Sequence, residues 1–285
     1  MPCLTSVVAA EVPQLDGCAM PGGIAELLLR AVADYEVVLL RHGETHGYEG
    51  DRGLTDRGRQ QAHERGSALA AELAPGATVR MPHARTARAS ETAAVVRAAL
   101  VADRAAERPL DLGPTYAEPW LDNLRVSVDG VGVEAGTAVG DRLALDGELP
   151  GWAVECDRFD RGYGPSKAAG GPIQYWLRNP MLYFEPPQVA AYRVWRGIIS
   201  AGASGPDRLV VIASTHSAPM RAFAATAFGR DLGEPDHLEG VRILVHGDHA
   251  VATIRYRDLE IEAALPAQLP PWIDREWLEP SPIAE

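Results

Sequence analysis

The chain predicts an α/β fold: three layers, α/β/α, around a mostly parallel central sheet. Two observations carry that prediction. Short β-branched runs alternate with longer stretches of helical spacing, first as strand, loop, helix, strand, helix, and later as strand, helix, strand, strand. The run "RLVVIAS" (208–214) is the strongest strand in the chain and falls in the second group.

Taken in order, residues 1–22 read as irregular, and "GIAELLLRAVAD" (23–34) has helical spacing. "YEVVLL" (35–40) is a strand by its β-branched content and brevity. "GYEGDRG" (47–53) is a glycine-rich loop, and Thr55 is placed to cap a helix over 56–73. "ATVRM" (77–81) is a second strand, and the alanine-rich 85–102 a second helix. After the strand at 208–214, "APMRAFAATAFG" (218–229) is a helix closed by Gly229. Residues 241–258 form a hairpin turning at Gly247-Asp248.

Residues 111–186 break this rhythm. They are rich in Gly, Pro and Asp and carry Trp120, Trp152, Trp176 and Tyr163. They read as an insertion over the carboxyl edge of the sheet. Within them, "RGYGPSKAAGGP" (161–172) predicts a mobile loop. The expected organisation is therefore a leader and helix over 1–34, then a single domain over 35–285 with a cap at about 111–186. The tail at 269–280, with two tryptophans, is expected to lie across the body.

The bulk numbers exclude several classes. At 285 residues, with 46% apolar and 23% charged residues, the chain is an ordinary globular protein. Its net charge of −12 speaks against a sequence-independent nucleic-acid binder, which needs a basic surface to displace counterions. No apolar run reaches spanning length, so no membrane is expected as a partner. Cys3, Cys18 and Cys156 give no paired spacing, which fits a reducing cytoplasm. The first twenty residues lack a basic start and read as no signal peptide. A homodimer is allowed.

Chemistry gathers where strands end. In open α/β sheets ligands bind beyond the carboxyl ends of the strands. After strand 35–40 come Arg41, His42, Gly43, Glu44 and Thr45; after strand 208–214 come Thr215, His216 and Ser217. Arg88 lies near the start of the helix after strand 77–81. Two guanidiniums and two imidazoles at one mouth would make an anion site. Guanidinium forks match phosphate oxygens in pairs, and a neutral imidazole is a nucleophile near pH 7.

The stretches "LLRHGET", "LTDRGRQQAHERG", "RTARASETA" and "STHSAPMRAF" together resemble the histidine phosphatase superfamily, the phosphoglycerate mutase-like proteins. The resemblance covers about 35–102 and 208–258, and only loosely the middle. It implies a phosphoglycerate mutase-like fold with no cofactor. His42 would be the nucleophile that becomes phosphohistidine, and His216 the second pocket histidine. Arg41 and Arg88 would hold the phosphoryl oxygens, with Gly43 and Thr45 beside them. Glu118, in "TYAEPWLDNL", would be the proton donor, with Asp122 as the spare. Relatives that use an aspartate directly after the second histidine are excluded by Ser217. Family mutases commonly carry Ser/Thr-x-Trp-Asn after "RHG", where this chain has Thr45-His46-Gly47-Tyr48.

The implied activity is a metal-independent phosphomonoesterase acting on a small phosphorylated metabolite. The alternatives are a phosphomutase of the same chemistry, a catalytically silent phosphate-binding module, or a pocket recruited to another reaction. Simpler roles stand beside these. Gly43 could admit an anion or make a turn, Thr45 could contact phosphate or close the loop, and Arg85 competes with Arg88. His63 and His83 read as structural. The pairs His42/His46 and His246/His249 lack the carboxylates or cysteines of a zinc site, so no metal is expected.

Overall fold

A computed structural model describes residues 34–47, 51–103, 109–161, 171–203, 205–247, 251–264 and 277. The expectations for the leader, the 23–34 helix, Lys167, Tyr48, Asp248 and most of the C-terminal tail concern residues outside this set.

The sheet has seven strands in the order β3-β2-β6-β1-β7-β8-β9. They are β1 (Tyr35–Arg41), β2 (Thr78–His83), β3 (Asp111–Ala117), β6 (Leu209–Thr215), β7 (Gly240–Val245), β8 (Val251–Tyr256) and β9 (Leu259–Ala264). The pairs β3-β2, β2-β6 and β6-β1 are parallel, and β7, β8 and β9 continue antiparallel, so five of the seven strands run the same way. A separate hairpin, β4 (Arg125–Val128) with β5 (Val131–Glu134), belongs to the middle block.

Side-chain alternation in β1 builds two cores. Val37 and Leu39 face Trp195, Ile198, Met220 and Phe223, from α6 (Pro187–Gly202) and α7 (Ser217–Phe228). Val38 and Leu40 face Leu54, Ala62, Leu69, Val96 and Leu100, from α1 (Asp56–Glu72), α2 (Ala87–Ala102) and the loop before α1. Every core residue of β1 is thus buried on one face or the other, each contributing about 1.5–3 kcal/mol of apolar burial. The three layers follow directly.

The middle block has its own core. Trp152, Phe159, Trp176 and Phe184 pack with Leu124, Val126 and Ala135, and reach Ala190, Ala218 and Ala222 on α6 and α7. Its helices are α3 (Ala135–Leu143), α4 (Gly151–Arg161) and α5 (Gly171–Arg178). A buried ion cluster ties the block to α6. Glu185, with no exposed surface, accepts from Arg193 and Arg125. Arg193 also donates to the carbonyls of Trp120, Asp122 and Asn123. Removing one partner of such a cluster strands a buried charge, at a cost of about 3–5 kcal/mol.

The sequence reading names no element within the middle block, and three elements that pack in the main body also escape it. β3 contains Gly113 and Pro114, which the edge position tolerates. β9 follows β8 through the turn at Arg257 (φ +54°). α6 opens after Pro186 with Pro187 in its first turn, a start signal that the proline-rich surroundings conceal.

Candidate active site

Ladder register puts the two histidines side by side. Arg41 pairs with Thr215 in the β1-β6 ladder, and the His42 N–H donates to the Thr215 carbonyl at 2.9 Å. The next residue on each strand is therefore a histidine. The ring centroids of His42 and His216 lie 5.1 Å apart, edge to face at 64°. Arg41, His42, Arg88 and His216 are all buried.

The motif residues around them form the frame. Thr55 caps α1, accepting the Gly58 N–H at 2.9 Å, and Thr86 caps α2. The Thr92 hydroxyl accepts the Gly43 N–H at 3.1 Å and donates to the Arg88 carbonyl at 2.7 Å, so α2 holds the loop carrying His42 directly. Gln61 Oε1 accepts the Glu44 N–H at 3.0 Å. Gly43 and Gly58 let loop and helix meet backbone to backbone. A Cβ on Gly43 would stand 2.7 Å from the Gly58 carbonyl oxygen, and one on Gly58 would stand 2.1 Å from that of Glu44. The space that Gly43 opens is filled by α1.

Hydrogen bonding fixes the tautomer of His42. His42 Nδ1 lies 2.7 Å from the Gly43 carbonyl, which can only accept, so Nδ1 carries the proton and Nε2 keeps its lone pair. Burial, with help from Arg88, Arg41 and His237, pulls the His42 pKa down to about 3. Burial and the same arginines also hold His216 well below the usual imidazole value. Both rings are neutral at pH 7. His216 Nε2 lies 3.1 Å from the Thr86 hydroxyl. Among the described residues, the N-terminus of α7 carries no side-chain cap, and Ser217 Oγ there and Arg41 Nε are buried without a hydrogen-bond partner. Unmatched donors beside two guanidiniums are what an oxyanion would satisfy.

Several sequence-predicted residues have local partners of their own. The Thr45 hydroxyl donates to the Gly53 carbonyl at 2.7 Å, and Thr45 bridges to Leu54, so its hydrogen is spent on closing the loop. Glu118 follows β3, but its carboxylate accepts from the Trp120 N–H, bonds Ser200 on α6 and faces Asp122. Burial and Asp122 raise its pKa, as an acid needs. Asp122 and Arg85, the spare donor and the rival arginine of the sequence reading, pair with each other through contacts of 2.5–2.9 Å. His83 is buried at the end of β2, its Nδ1 2.8 Å from the Ala84 carbonyl.

The structure adds three residues that the sequence patterns do not single out. Asp51 pairs with Arg88 at 2.9 Å and accepts the Ala87 N–H at the start of α2. Glu134 pairs with Arg88 at 3.1 Å and also accepts from the Asn123 amide. His237 lies 6.0 Å from His42, centroid to centroid. It sits in "DLGEPDHLEG", which reads as an acidic connection; only the proximity of that connection to the end of β1 could have pointed to it.

No family model matches the chain, and no curated protein matches its sequence. Solved structures do match over most of its length. One is described as mycobacterial hydrolase 1, at 17% identity, covering 81% of this chain and 100% of the other, with a TM-score of 0.48. A second is the phosphoglycerate mutase from Bacillus anthracis, at 14% identity, 80% and 94% coverage, and a TM-score of 0.46. A third is the mycobacterial glucosyl-3-phosphoglycerate phosphatase with VO3, at 18% identity, 79% and 97% coverage, and a TM-score of 0.44.

Proposed function

We propose that this chain is a metal-independent phosphomonoesterase that works through a phosphohistidine on His42. The observation that carries the reading is the neutral His42, its Nε2 lone pair free, packed at 5.1 Å against His216 between two arginines. Its role is in-line attack on phosphorus. Arg41 and Arg88 supply the positive charge that the transferring phosphoryl group needs, in forks that match its oxygens. His216 is a neutral donor or acceptor toward a further oxygen. A small phosphorylated metabolite fits this reading, with the middle block shaping the space for its leaving group.

His42→Ala tests it. Turnover of p-nitrophenyl phosphate should fall to background, and the acid-labile, base-stable label trapped from a labelled ester should vanish. Retention of most activity by this variant defeats the proposal.

One observation favours a second reading, a silent phosphate-binding module. Carboxylates of Asp51 and Glu134 already occupy Arg88. That reading expects vanadate binding that needs Arg88, with no turnover of any phosphoester.

A further inference from the structure

The Glu118 carboxylate bonds the Trp120 N–H and Ser200, and Asp122 pairs with Arg85. We propose that His237 fills the acid–base role, an inference that rests on the phosphatase reading above. His42 Nε2 forms the N–P bond, the ester P–O bond breaks, and its electron pair leaves with the alcohol oxygen, which takes a proton from the His237 imidazolium. The neutral ring then takes a proton from water as that oxygen attacks phosphorus. The N–P bond breaks, and its pair returns to Nε2. Atoms, charge and protons balance over the two steps, with alcohol and inorganic phosphate as products.

Placement supports this role. His237 is partly exposed where His42 and His216 are buried, so of the three rings it is the one open to exchange a proton with solvent. A centroid separation of 6.0 Å is too long for the rings to bond each other and short enough for one phosphoryl or ester oxygen to reach both. The ring forms no hydrogen bond with a described residue, whereas Glu134 and Asp51 are held by Arg88, Thr86 engages His216, and Glu44 accepts from Thr55.

The loop carrying His237 is also fixed. Leu238 N–H donates to the Arg41 carbonyl at 3.1 Å, and Arg41 N–H to the Glu239 carbonyl at 3.1 Å. The Arg41 guanidinium bonds the Pro235 carbonyl and pairs with Glu234 at 3.2 Å. Glu234 in turn meets Arg221 of α7 at 2.9 Å, and Arg221 meets Asp231 at 2.6 Å. Such pre-positioning is what proton transfer in a transition state requires. Burial and Arg41 lower the affinity of the ring for a proton, while Glu44, Glu234 and Asp236 raise it; His42 is the remaining titratable neighbour. An arriving phosphomonoester dianion adds negative charge and favours the imidazolium.

A leaving-group comparison tests the assignment. Nitrophenolate leaves without a proton, and an alkoxide does not. In His237→Gln, the first turnover of p-nitrophenyl phosphate should slow by less than about 10-fold, and that of β-glycerophosphate by about 10²–10⁴-fold, the range of general-acid catalysis. The variant should show a burst of nitrophenolate and accumulate acid-labile phosphohistidine, because water is no longer activated. The alkaline limb of the pH profile with the alkyl ester should disappear. Equal losses on both esters, or no loss, overturn the proposal, as does a leaving-group split shown by Glu118→Gln instead. A wild-type protein that turns over neither ester overturns the phosphatase reading and this inference with it. His237→Asn, a smaller change at a partly exposed position, must repeat the pattern.

Discussion

The mouth of this protein has two walls built on different principles. One is made of strand ends and the first turn of α2: Arg41, His42, His216 and Arg88, each buried and each positioned by ladder register or helix caps. The other is made of connections: Asp51, Glu134 and His237, brought in by tertiary docking and more exposed. On the proposed function, the fixed wall carries the groups whose geometry must not vary, the nucleophile and the phosphoryl clamps, and the connection wall carries charges that compete with the ligand or exchange protons with it. A site divided this way keeps its chemistry while its selectivity is reshaped by loop changes.

Substitutions on the two walls should therefore differ in size and kind. The largest effect is expected from Arg88→Ala. It removes a clamp, at a cost of about 10²–10³-fold in kcat, and it also leaves Asp51 and Glu134 unpaired beside the place an anion must occupy. Vanadate affinity should fall in step with kcat. Arg88→Lys should recover only part of either, since an ammonium cannot reproduce the fork. Next is Gly58→Ala, in the frame behind the fixed wall. Its new Cβ would stand 2.1 Å from the Glu44 carbonyl oxygen, so the loop carrying His42 must shift. Overpacking of this kind costs about 1–3 kcal/mol of stability, and thermal unfolding should report it together with a loss of kcat.

The same division explains what could be read from the amino acids. Thr55, Gly58, Gln61, Arg88 and Thr92 lie within recognisable local patterns, because caps and close helix–loop contacts impose residue types at fixed spacing. Three of the four parallel strands, β1, β2 and β6, follow from short apolar runs. The connection wall offers no such spacing: Asp51 faces Arg88 across 37 positions and Glu134 across 46. Glu118 shows the converse. Chain order places it correctly, just past β3, but order does not decide the direction of a side chain, and this one turns to Ser200 on α6.

Acid should sharpen the contrast at a more modest scale. His42 and His216 have folded pKa values below the unfolded value of 6.5, His42 at about 3. Between those limits the unfolded chain binds more protons than the folded one. Their contribution to stability is therefore complete above about pH 6.5 and is lost as pH falls toward 3. Tm measured from pH 7 to 4 should drop, by about 2–4 °C for each kcal/mol withdrawn. His42→Asn should flatten part of that slope, whereas Asp51→Asn should leave it in place. Asp51→Asn acts on binding instead. With one carboxylate gone from Arg88, inhibition by inorganic phosphate should tighten by a few fold, the scale of a partly exposed ion pair. Weaker inhibition would mean that Asp51 holds Arg88 in place more than it competes for it.

The smallest expected effect is the one most useful for separating the walls from their surroundings. Glu118 is buried, its pKa raised by burial and by Asp122 and opposed by the Trp120 N–H and Ser200. A group with a raised folded pKa weakens the fold as pH climbs through the carboxylate range, because the folded chain resists giving up the proton. Gln keeps the acceptor oxygen for the Trp120 N–H and removes the charge. Glu118→Gln should therefore hold or slightly raise Tm at pH 7 and leave turnover of both aryl and alkyl phosphates within about two-fold, as for substitutions that touch neither wall. Should this variant fold normally and lose alkyl-ester turnover by 100-fold, the acid lies past β3 rather than on the loop before β7, and the second wall would supply charge but no proton.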